Sequence, residues 1–340
     1  MPNVLTIVVS EPRPGDGSDA RFKQVLLREV RGQQHLRMKV VPHLYDLSPE
    51  GAAFRFLKDT EGDLAVLAWL YPRATYWVLD ANGVKGRMGQ TGLQPDEDIS
   101  GVTVEGERTI WCLDLRHRVP DGVLLDELDR VARESTGLGL RPKESIGQSS
   151  QSDDADSRSD HEGVTDLDAV RVVDPTHGRW YPVVDRARCG NCLECLNFCL
   201  FGVYGLDADG RLFVEVPDAC RNGCPACARV CPQGAIIFPS HHNPAIAGDA
   251  KFSPADITDD LVQLLGPLDP TSLATAERRR ILGENGSGLT ESQPADGGPG
   301  EESSSFRGQR SSDLHSAGPT ASVGPQDLDE LVDELDRSDL

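Results

Sequence analysis

Residues 189–199 read CGNCLECLNFC, and residues 220–232 read CRNGCPACARVCP. The first stretch spaces its four cysteines as C-x2-C-x2-C-x3-C, and the second spaces its four as C-x3-C-x2-C-x3-C-P. The residues that follow also match, because Phe201-Gly202-Val203 corresponds to Gln233-Gly234-Ala235. We call residues 189–199 the first block and residues 220–231 the second block; together they form an internal repeat.

Eight of the nine cysteines fall in these blocks, which predicts metal ligation. A disulfide-stapled secreted protein would be short, whereas this chain has 340 residues and no visible secretory signal. Three closely spaced thiolates can surround one face of an iron–sulfur cubane, whose fourth iron needs a more distant thiolate. Four-cysteine zinc sites usually combine two separated pairs, so the repeat favours clusters over zinc. The candidate ligands are Cys189, Cys192, Cys195, Cys199, Cys220, Cys224, Cys227 and Cys231.

Residues from about 180 to 238 resemble the bacterial-type two-cluster 4Fe–4S ferredoxins, a resemblance that covers under a fifth of the chain. It implies two [4Fe–4S] clusters with crossed ligation, in which the last cysteine of each block reaches the other cluster. One cluster would take Cys189, Cys192, Cys195 and Cys231, and the other Cys199, Cys220, Cys224 and Cys227. The resemblance also implies an α+β fold with two strand pairs: residues 180–184 with 235–238, and residues 203–206 with 212–216.

Two features depart from the usual pattern of that family. Cys231 is followed by Pro232, but Cys199 is followed by Leu200, and the second block has one extra residue at Asn222 or Gly223. A glycine can absorb the insertion in a left-handed turn, and neither change removes a ligand. The second block also matches the C-x3-C-x2-C signature of radical S-adenosylmethionine enzymes. The short, polar sequence downstream of the second block argues against that interpretation.

Upstream of the blocks, residues 1–140 predict an α/β domain. Residues 4–9 form a continuous apolar run, which is typical of a strand buried on both faces. Apolar residues then recur at helical spacing from Phe22 to Val30. Further strands are predicted at residues 36–44, 64–70, 76–79 and 109–115, helices from Ser48 and Asp121, and a loop over residues 82–92. No G-x-G-x-x-G and no phosphate-binding loop follows the first strand, so the sequence assigns this domain no nucleotide.

Composition divides the rest of the chain. Residues 141–168 are rich in Ser, Asp, Gln and Gly, which predicts a disordered linker between two globular units. The two-cluster domain is predicted over residues 169–250, and short helices over residues 251–283, beginning at Ser253 and Asp269. Residues 284–340 are predicted to be a disordered acidic tail with a possible terminal helix.

The formal net charge of -21 bears on partners, because nucleic acids and anionic membranes bind basic surfaces. We therefore expect no nucleic acid and no membrane insertion, since no apolar run approaches the roughly 20 residues of a membrane helix. A cytoplasmic location is the corresponding expectation. Cys112 is expected to be a buried structural residue, and His241 and His242 to lie in a surface loop.

The resemblance implies a protein that relays single electrons to or from a redox partner protein, with no catalytic residue assigned. Two alternatives stay open at this point. The first is an oxidoreductase whose active site lies in the α/β domain and is fed by the clusters. The second is an iron–sulfur redox sensor or interaction protein.

Overall fold

A computed structural model describes residues 4–17, 20–93, 108–116, 119–140, 167, 169–260, 262 and 269–284 of the chain. Contacts place residues 1–289 in one compact unit, and a second unit, residues 290–340, lies outside the described residues. The predicted linker and acidic tail fall almost entirely outside the described residues, so they stay predictions. None of the helices in the described ranges is long and apolar enough to cross a membrane.

Five parallel strands form the central sheet, in the order β2-β1-β3-β5-β4. They are β1 (Leu5–Ser10), β2 (Leu36–Val41), β3 (Asp63–Ala68), β4 (Arg87–Gly89) and β5 (Thr109–Asp114). Every residue of β1, β3 and β5 is buried, as expected of strands covered on both faces. The α/β fold predicted for the start of the chain is therefore confirmed.

Four helices cover the two faces of the sheet. They are α1 (Ala20–Val30), α2 (Ala52–Asp59), α3 (Pro72–Ala81) and α4 (Asp121–Thr136). Leu26 of α1 and Leu128 of α4 pack in one apolar core, and Phe54 of α2 and Trp77 of α3 pack in the other. Each helix buries an apolar stripe, which is what fixes it to the sheet.

Three sequence predictions in this region were wrong. Residues 76–79 lie inside α3 and not in a strand. The predicted loop over residues 82–92 contains the short edge strand β4. Ser48 does not cap a helix; its carbonyl accepts a turn hydrogen bond from the Gly51 amide at 2.9 Å, and α2 begins after Gly51.

The cysteine blocks lie in a small α+β segment. Strands β6 (Val183–Val184), β7 (Tyr204–Leu206), β8 (Leu212–Val214) and β9 (Ile236–Ile237) alternate with helices α5 (Glu194–Phe198) and α6 (Ala226–Val230). Strand β6 pairs antiparallel with β9, and β7 with β8, as predicted. Two further helices follow, α7 (Pro244–Ala247) and α8 (Pro270–Glu284), and a 3-10 helix, Pro254–Thr258, lies between them. Ser253 and Asp256 form the capping box of that 3-10 helix, so it begins where the sequence predicts.

The cysteine segment packs directly on the parallel sheet. Tyr181, Val183 and Ile237 belong to the same apolar core as Phe54 and Trp77. The rings of Tyr45 and Tyr181 stack with centroids 4.4 Å apart, and the Tyr181 amide donates to the Tyr45 hydroxyl at 2.7 Å. The two parts that the sequence separates by a linker thus share one core.

Candidate iron–sulfur site

The loop of the first block is held in an uncommon backbone conformation. Asn191 and Leu193 have φ angles of 54° and 66°, in the left-handed region that non-glycine residues rarely adopt. The Asn191 side chain secures the loop to the β7–β8 hairpin, since it donates to the Gly210 carbonyl at 3.0 Å and accepts from the Leu212 amide at 2.8 Å. Such strain persists only where surrounding contacts enforce it, and it is frequent at functional sites.

The loop of the second block accommodates its extra residue through Gly223. This glycine has a φ of 79°, which a side chain would disfavour, and the turn closes as the Cys224 amide donates to the Arg221 carbonyl at 3.0 Å. The turn predicted from the sequence is therefore present. Helix α6 then starts at Ala226 and carries Cys227 toward the interior.

The structure brings the last cysteine of each block to the other block. One cavity, with otherwise mainly apolar walls, is lined by four thiols: Cys199, Cys220, Cys224 and Cys227. On the other side, the charges that act on the Cys195 thiol are those of Cys231, Cys189 and Cys192. Within the ranges described, no three or more His, Cys, Asp or Glu side chains are arranged to hold a single metal ion.

Burial dominates the electrostatics of these thiols. Burial, with a smaller contribution from neighbouring cysteines, raises the pKa of Cys195 and of Cys220 to about 12. Burial also raises the pKa of Cys227 well above its usual value. The Tyr204 hydroxyl donates a hydrogen bond to Cys227 Sγ at 3.1 Å, which lowers that pKa but does not offset the effect of burial. Several thiols can lose their protons together at this site only when a positively charged group binds the resulting thiolates. The iron ions of an iron–sulfur cluster supply that charge, so the donor set fits a cluster.

The eight cysteines differ in exposure. Cys195, Cys224 and Cys227 are buried, Cys192 is exposed, and the other four are half-buried. Cys112, the ninth cysteine, is fully buried in β5, as expected, and lies outside the two blocks. The first block therefore presents a sulfur to solvent, whereas the second block is more enclosed.

The expectation that both histidines lie in a surface loop was wrong for His241. Its side chain is buried beside Trp180, with ring centroids 6.1 Å apart, while His242 is exposed. Burial, with a smaller contribution from the charge of His242, lowers the pKa of His241 to about 3. His241 is consequently a neutral packing residue at neutral pH.

Sequence reasoning missed two arginines beside the blocks. Arg73 of α3 is buried and donates from Nε to Asp185 Oδ2 at 2.6 Å, just before the first block. Arg278 of α8 lines the four-thiol cavity and donates to the Phe198 carbonyl at 2.8 Å. Sequence separations of 112 and 80 residues gave no local signal for either contact.

Comparison with known proteins gives short matches. No protein-family model matches the chain. Over 66 residues it is 42% identical to an uncharacterised ferredoxin of Methanocaldococcus jannaschii, a stretch that makes up 19% of this chain and 44% of that protein. Over 53 residues it is 45% identical to the indolepyruvate oxidoreductase subunit IorA of Methanothermobacter marburgensis, which covers 16% of this chain and 8% of that subunit.

These similarities support a ferredoxin-like iron–sulfur domain. The chain spans less than half the length of either curated relative. The similarity therefore concerns a segment, and the parallel sheet has to be interpreted from its own contacts.

Proposed function

We propose that the cysteine segment holds two [4Fe–4S] clusters and relays single electrons to or from a redox partner. The observation that carries this proposal is the four-thiol cavity, in which Cys199 joins Cys220, Cys224 and Cys227 of the other block. The second cluster would occupy that cavity. The first would be held by Cys189, Cys192, Cys195 and Cys231. A cubane takes one thiolate for each iron, which suits two sets of four cysteines.

When bound, the clusters supply one-electron redox chemistry at potentials set by ligation, burial and hydrogen bonds to sulfur. This chain's residues determine those last two factors. Tyr204 donates to Cys227 Sγ, and the Ala235 amide donates to Cys231 Sγ at 3.3 Å. Phe198 and Phe201 contribute apolar walls to the four-thiol cavity, which lower the polarity around the sulfurs.

The exposed Cys192 indicates where electrons exchange with a partner. Electron transfer needs close approach, and Cys192 is the one exposed sulfur of the eight. The electron would pass between a partner docked at the first block and the more enclosed second block. The similarity to a subunit of a named oxidoreductase favours a role within a redox complex.

The edge of the parallel sheet where an active site would be expected is occupied by the cysteine segment of the same chain. In open parallel sheets, ligands bind at the carboxyl ends of the strands. Here the residues that follow β1, β2 and β3 contact the cysteine segment instead: Arg13 donates to Ser240 Oγ at 2.6 Å, Tyr45 stacks on Tyr181, and Arg73 binds Asp185. This arrangement favours an electron carrier over an oxidoreductase with its own site in the sheet.

Anaerobic purification followed by iron and acid-labile sulfide analysis tests the proposal. We expect about eight irons and eight sulfides per chain, and low-temperature EPR of the dithionite-reduced protein should show two interacting clusters. Zinc without labile sulfide would overturn the proposal. A bound flavin or another organic cofactor would instead favour the oxidoreductase. Redox-independent binding of a partner by the cluster-free chain would favour the sensor.

A further inference from the structure

Arg73 is a buried cation between the parallel sheet and the first block. Its side chain is 7% exposed, and its guanidinium has two acceptors in the cysteine segment. Nε donates to the Asp185 carboxylate at 2.6 Å, and Nη2 donates to the Gly234 carbonyl at 2.7 Å. Burying a charge is unfavourable unless it is paired and hydrogen-bonded, so both acceptors are needed to hold Arg73 in place.

The bond to Gly234 reaches a cysteine sulfur through a single peptide group. The Gly234 carbonyl and the Ala235 amide are the two ends of one peptide bond. While Arg73 donates to the carbonyl, the amide donates to Cys231 Sγ at 3.3 Å. Hydrogen bonds in a chain polarise one another, so the guanidinium strengthens the amide as a donor to that sulfur.

The bond to Asp185 reaches the other end of the same proposed ligand set. The Asp185 carbonyl accepts from the Cys189 amide at 2.9 Å, and the Asp185 amide donates to the Ala235 carbonyl at 2.8 Å. Asp185 Oδ1 also accepts from the Ala187 and Arg188 amides, at 2.9 and 3.1 Å. Arg73 thereby fixes the turn before Cys189 to the turn after Cys231.

The corresponding residues of the first half of the repeat have different partners. Gly202 and Val203 occupy the positions that correspond to Gly234 and Ala235. The Val203 carbonyl, which corresponds to the Ala235 carbonyl that accepts from the Asp185 amide, accepts instead from the Glu215 and Val216 amides, at 2.9 and 3.1 Å, within the β7–β8 hairpin region. The contact with Arg73 therefore distinguishes the two halves of the repeat.

We propose that Arg73 is a positioning residue that raises the reduction potential of the first cluster and leaves that of the second unchanged. Reduction adds negative charge, and both a stronger N–H···S bond and a nearby guanidinium stabilise the reduced state. The α/β part of the chain then belongs to the electron-transfer apparatus, because its helix α3 supplies the group that makes the two clusters unequal. The inference rests on the proposed two-cluster function.

An EPR-monitored redox titration of the full-length holoprotein tests this inference. The variants are Arg73→Met, Arg73→Lys and the control Arg13→Met, which removes another arginine of the same interface, one that contacts Asp46 and Ser240. Cys192→Ser identifies the first cluster, as the signal that it alters or removes. Iron and sulfide content is measured for each variant before titration.

In Arg73→Met we expect the reduction equilibrium constant of the first cluster to fall about tenfold, which is about 59 mV for one electron. The second cluster and both clusters of Arg13→Met should titrate as in the wild type. Arg73→Lys keeps the charge without the two-acceptor geometry, so its shift should be smaller and in the same direction. That variant also decides the matter if Arg73→Met does not fold.

Unchanged potentials in an Arg73 variant that retains both clusters would overturn the inference and leave the proposed function intact. An equal shift in Arg13→Met would also overturn it, because the cause would then be a loosened interface. A wild-type protein without iron and labile sulfide would contradict the proposed function itself. The two failures are thus distinguishable from the metal content alone.

Discussion

The two cysteine blocks share a sequence pattern but are supported by different parts of the chain. The first block has loop residues in a strained conformation, an exposed Cys192 and a buried arginine beside it, Arg73 of α3. The second block packs against α8, where Leu273 and Ala274 are fully buried. The repeat determines the positions of the thiols along the chain, whereas neighbouring elements such as α3 and α8 determine which side chains surround them. Two equivalent half-sites can thereby acquire different redox properties.

The sharpest way to break this comparison is to combine cysteine substitutions. Cys192→Ala with Cys231→Ala removes two proposed ligands of one cluster, so the double variant should lose about four irons, no more than either single variant. Cys192→Ala with Cys199→Ala affects both clusters and should lose about eight. Iron and labile sulfide analysis of anaerobically purified protein measures both outcomes.

The reverse pattern would show that each block binds its own cluster. In that case the Cys192/Cys199 double variant would lose one cluster, and the Cys192/Cys231 double variant would lose two. Cys112→Ala is the matched control, because this cysteine is buried in β5 and should leave the iron content unchanged.

A second prediction concerns the support of the second block. Arg229 of α6 has a side chain with 0% exposure, and its Nη2 donates to Asp260 Oδ2 and Glu277 Oε1, both at 2.9 Å. Removing one partner of a fully buried ion pair costs about 3–5 kcal/mol. The two carboxylates here are 31% and 13% exposed, so Arg229→Met should destabilise the helices around this block by less than that. We expect the second cluster to be lost at a denaturant concentration at which the wild type keeps both.

Arg130→Met is the control for that experiment. Arg130 also pairs with two carboxylates, but its side chain is 42% exposed and lies on α4, away from the blocks. Exposed pairs contribute about 0–1 kcal/mol, so this variant should retain both clusters as the wild type does. Simultaneous loss of both clusters in Arg229→Met would contradict separate support of the blocks.

A third prediction follows from the buried His241. Its pKa is about 3 in the folded protein, against about 6.5 when unfolded, so below pH 6.5 the unfolded chain binds more protons. The stability that His241 contributes is complete above pH 6.5 and is lost as the pH falls toward 3. His241→Gln should reduce the acid dependence of the thermal unfolding midpoint between those pH values.

His241 bears on the second block through Trp180, whose indole N–H donates to the Cys224 carbonyl at 3.2 Å. Mild acid should therefore bleach the second cluster before the first, when absorbance and EPR are followed together. The solvent-exposed His242→Gln serves as the control, and an equal effect of the two substitutions would show that burial is not the cause.

The smallest expected effect is that of Arg278 on the second cluster, which can be compared with the effect of Arg73 on the first. Arg278 is half-buried. Burial raises the pKa of Cys224, and the charge of Arg278 opposes that rise only weakly, less than the charge of Glu277 adds to it. Solvent screens such a group, so Arg278→Met should lower the reduction equilibrium constant of the second cluster by about threefold or less. A redox titration that showed a larger shift than Arg73→Met gives would reverse the proposed ranking of the two sites.

Local patterns predicted most elements, and their failures have physical causes. Strands β1, β3 and β5 were predicted because buried parallel strands are continuously apolar. The same property misled at residues 76–79: four consecutive apolar residues, all buried inside α3, resemble a short buried strand. Strand β4 has three residues, too few for a pattern.

The candidate site was predictable to the extent that it depends on spacing. The spacing predicts eight cysteines as candidate ligands and a left-handed turn at Gly223, and that turn is present. The pairing of Arg73 with Asp185 could not be predicted, because it joins residues 112 positions apart and an arginine in an apolar stretch carries no mark of its partner. Tertiary packing decides such contacts.

Strands β6 and β9 place the two ends of the cysteine segment side by side, with Val183 opposite Ile237. A segment built in this way is portable, because a host chain needs only two adjacent attachment points to accept it. Portability has a consequence for engineering. A cysteine segment moved to a new host protein would keep its thiols but lose the contact with Arg73. The reduction potential of its first cluster would then depend on the residues that each host places beside it.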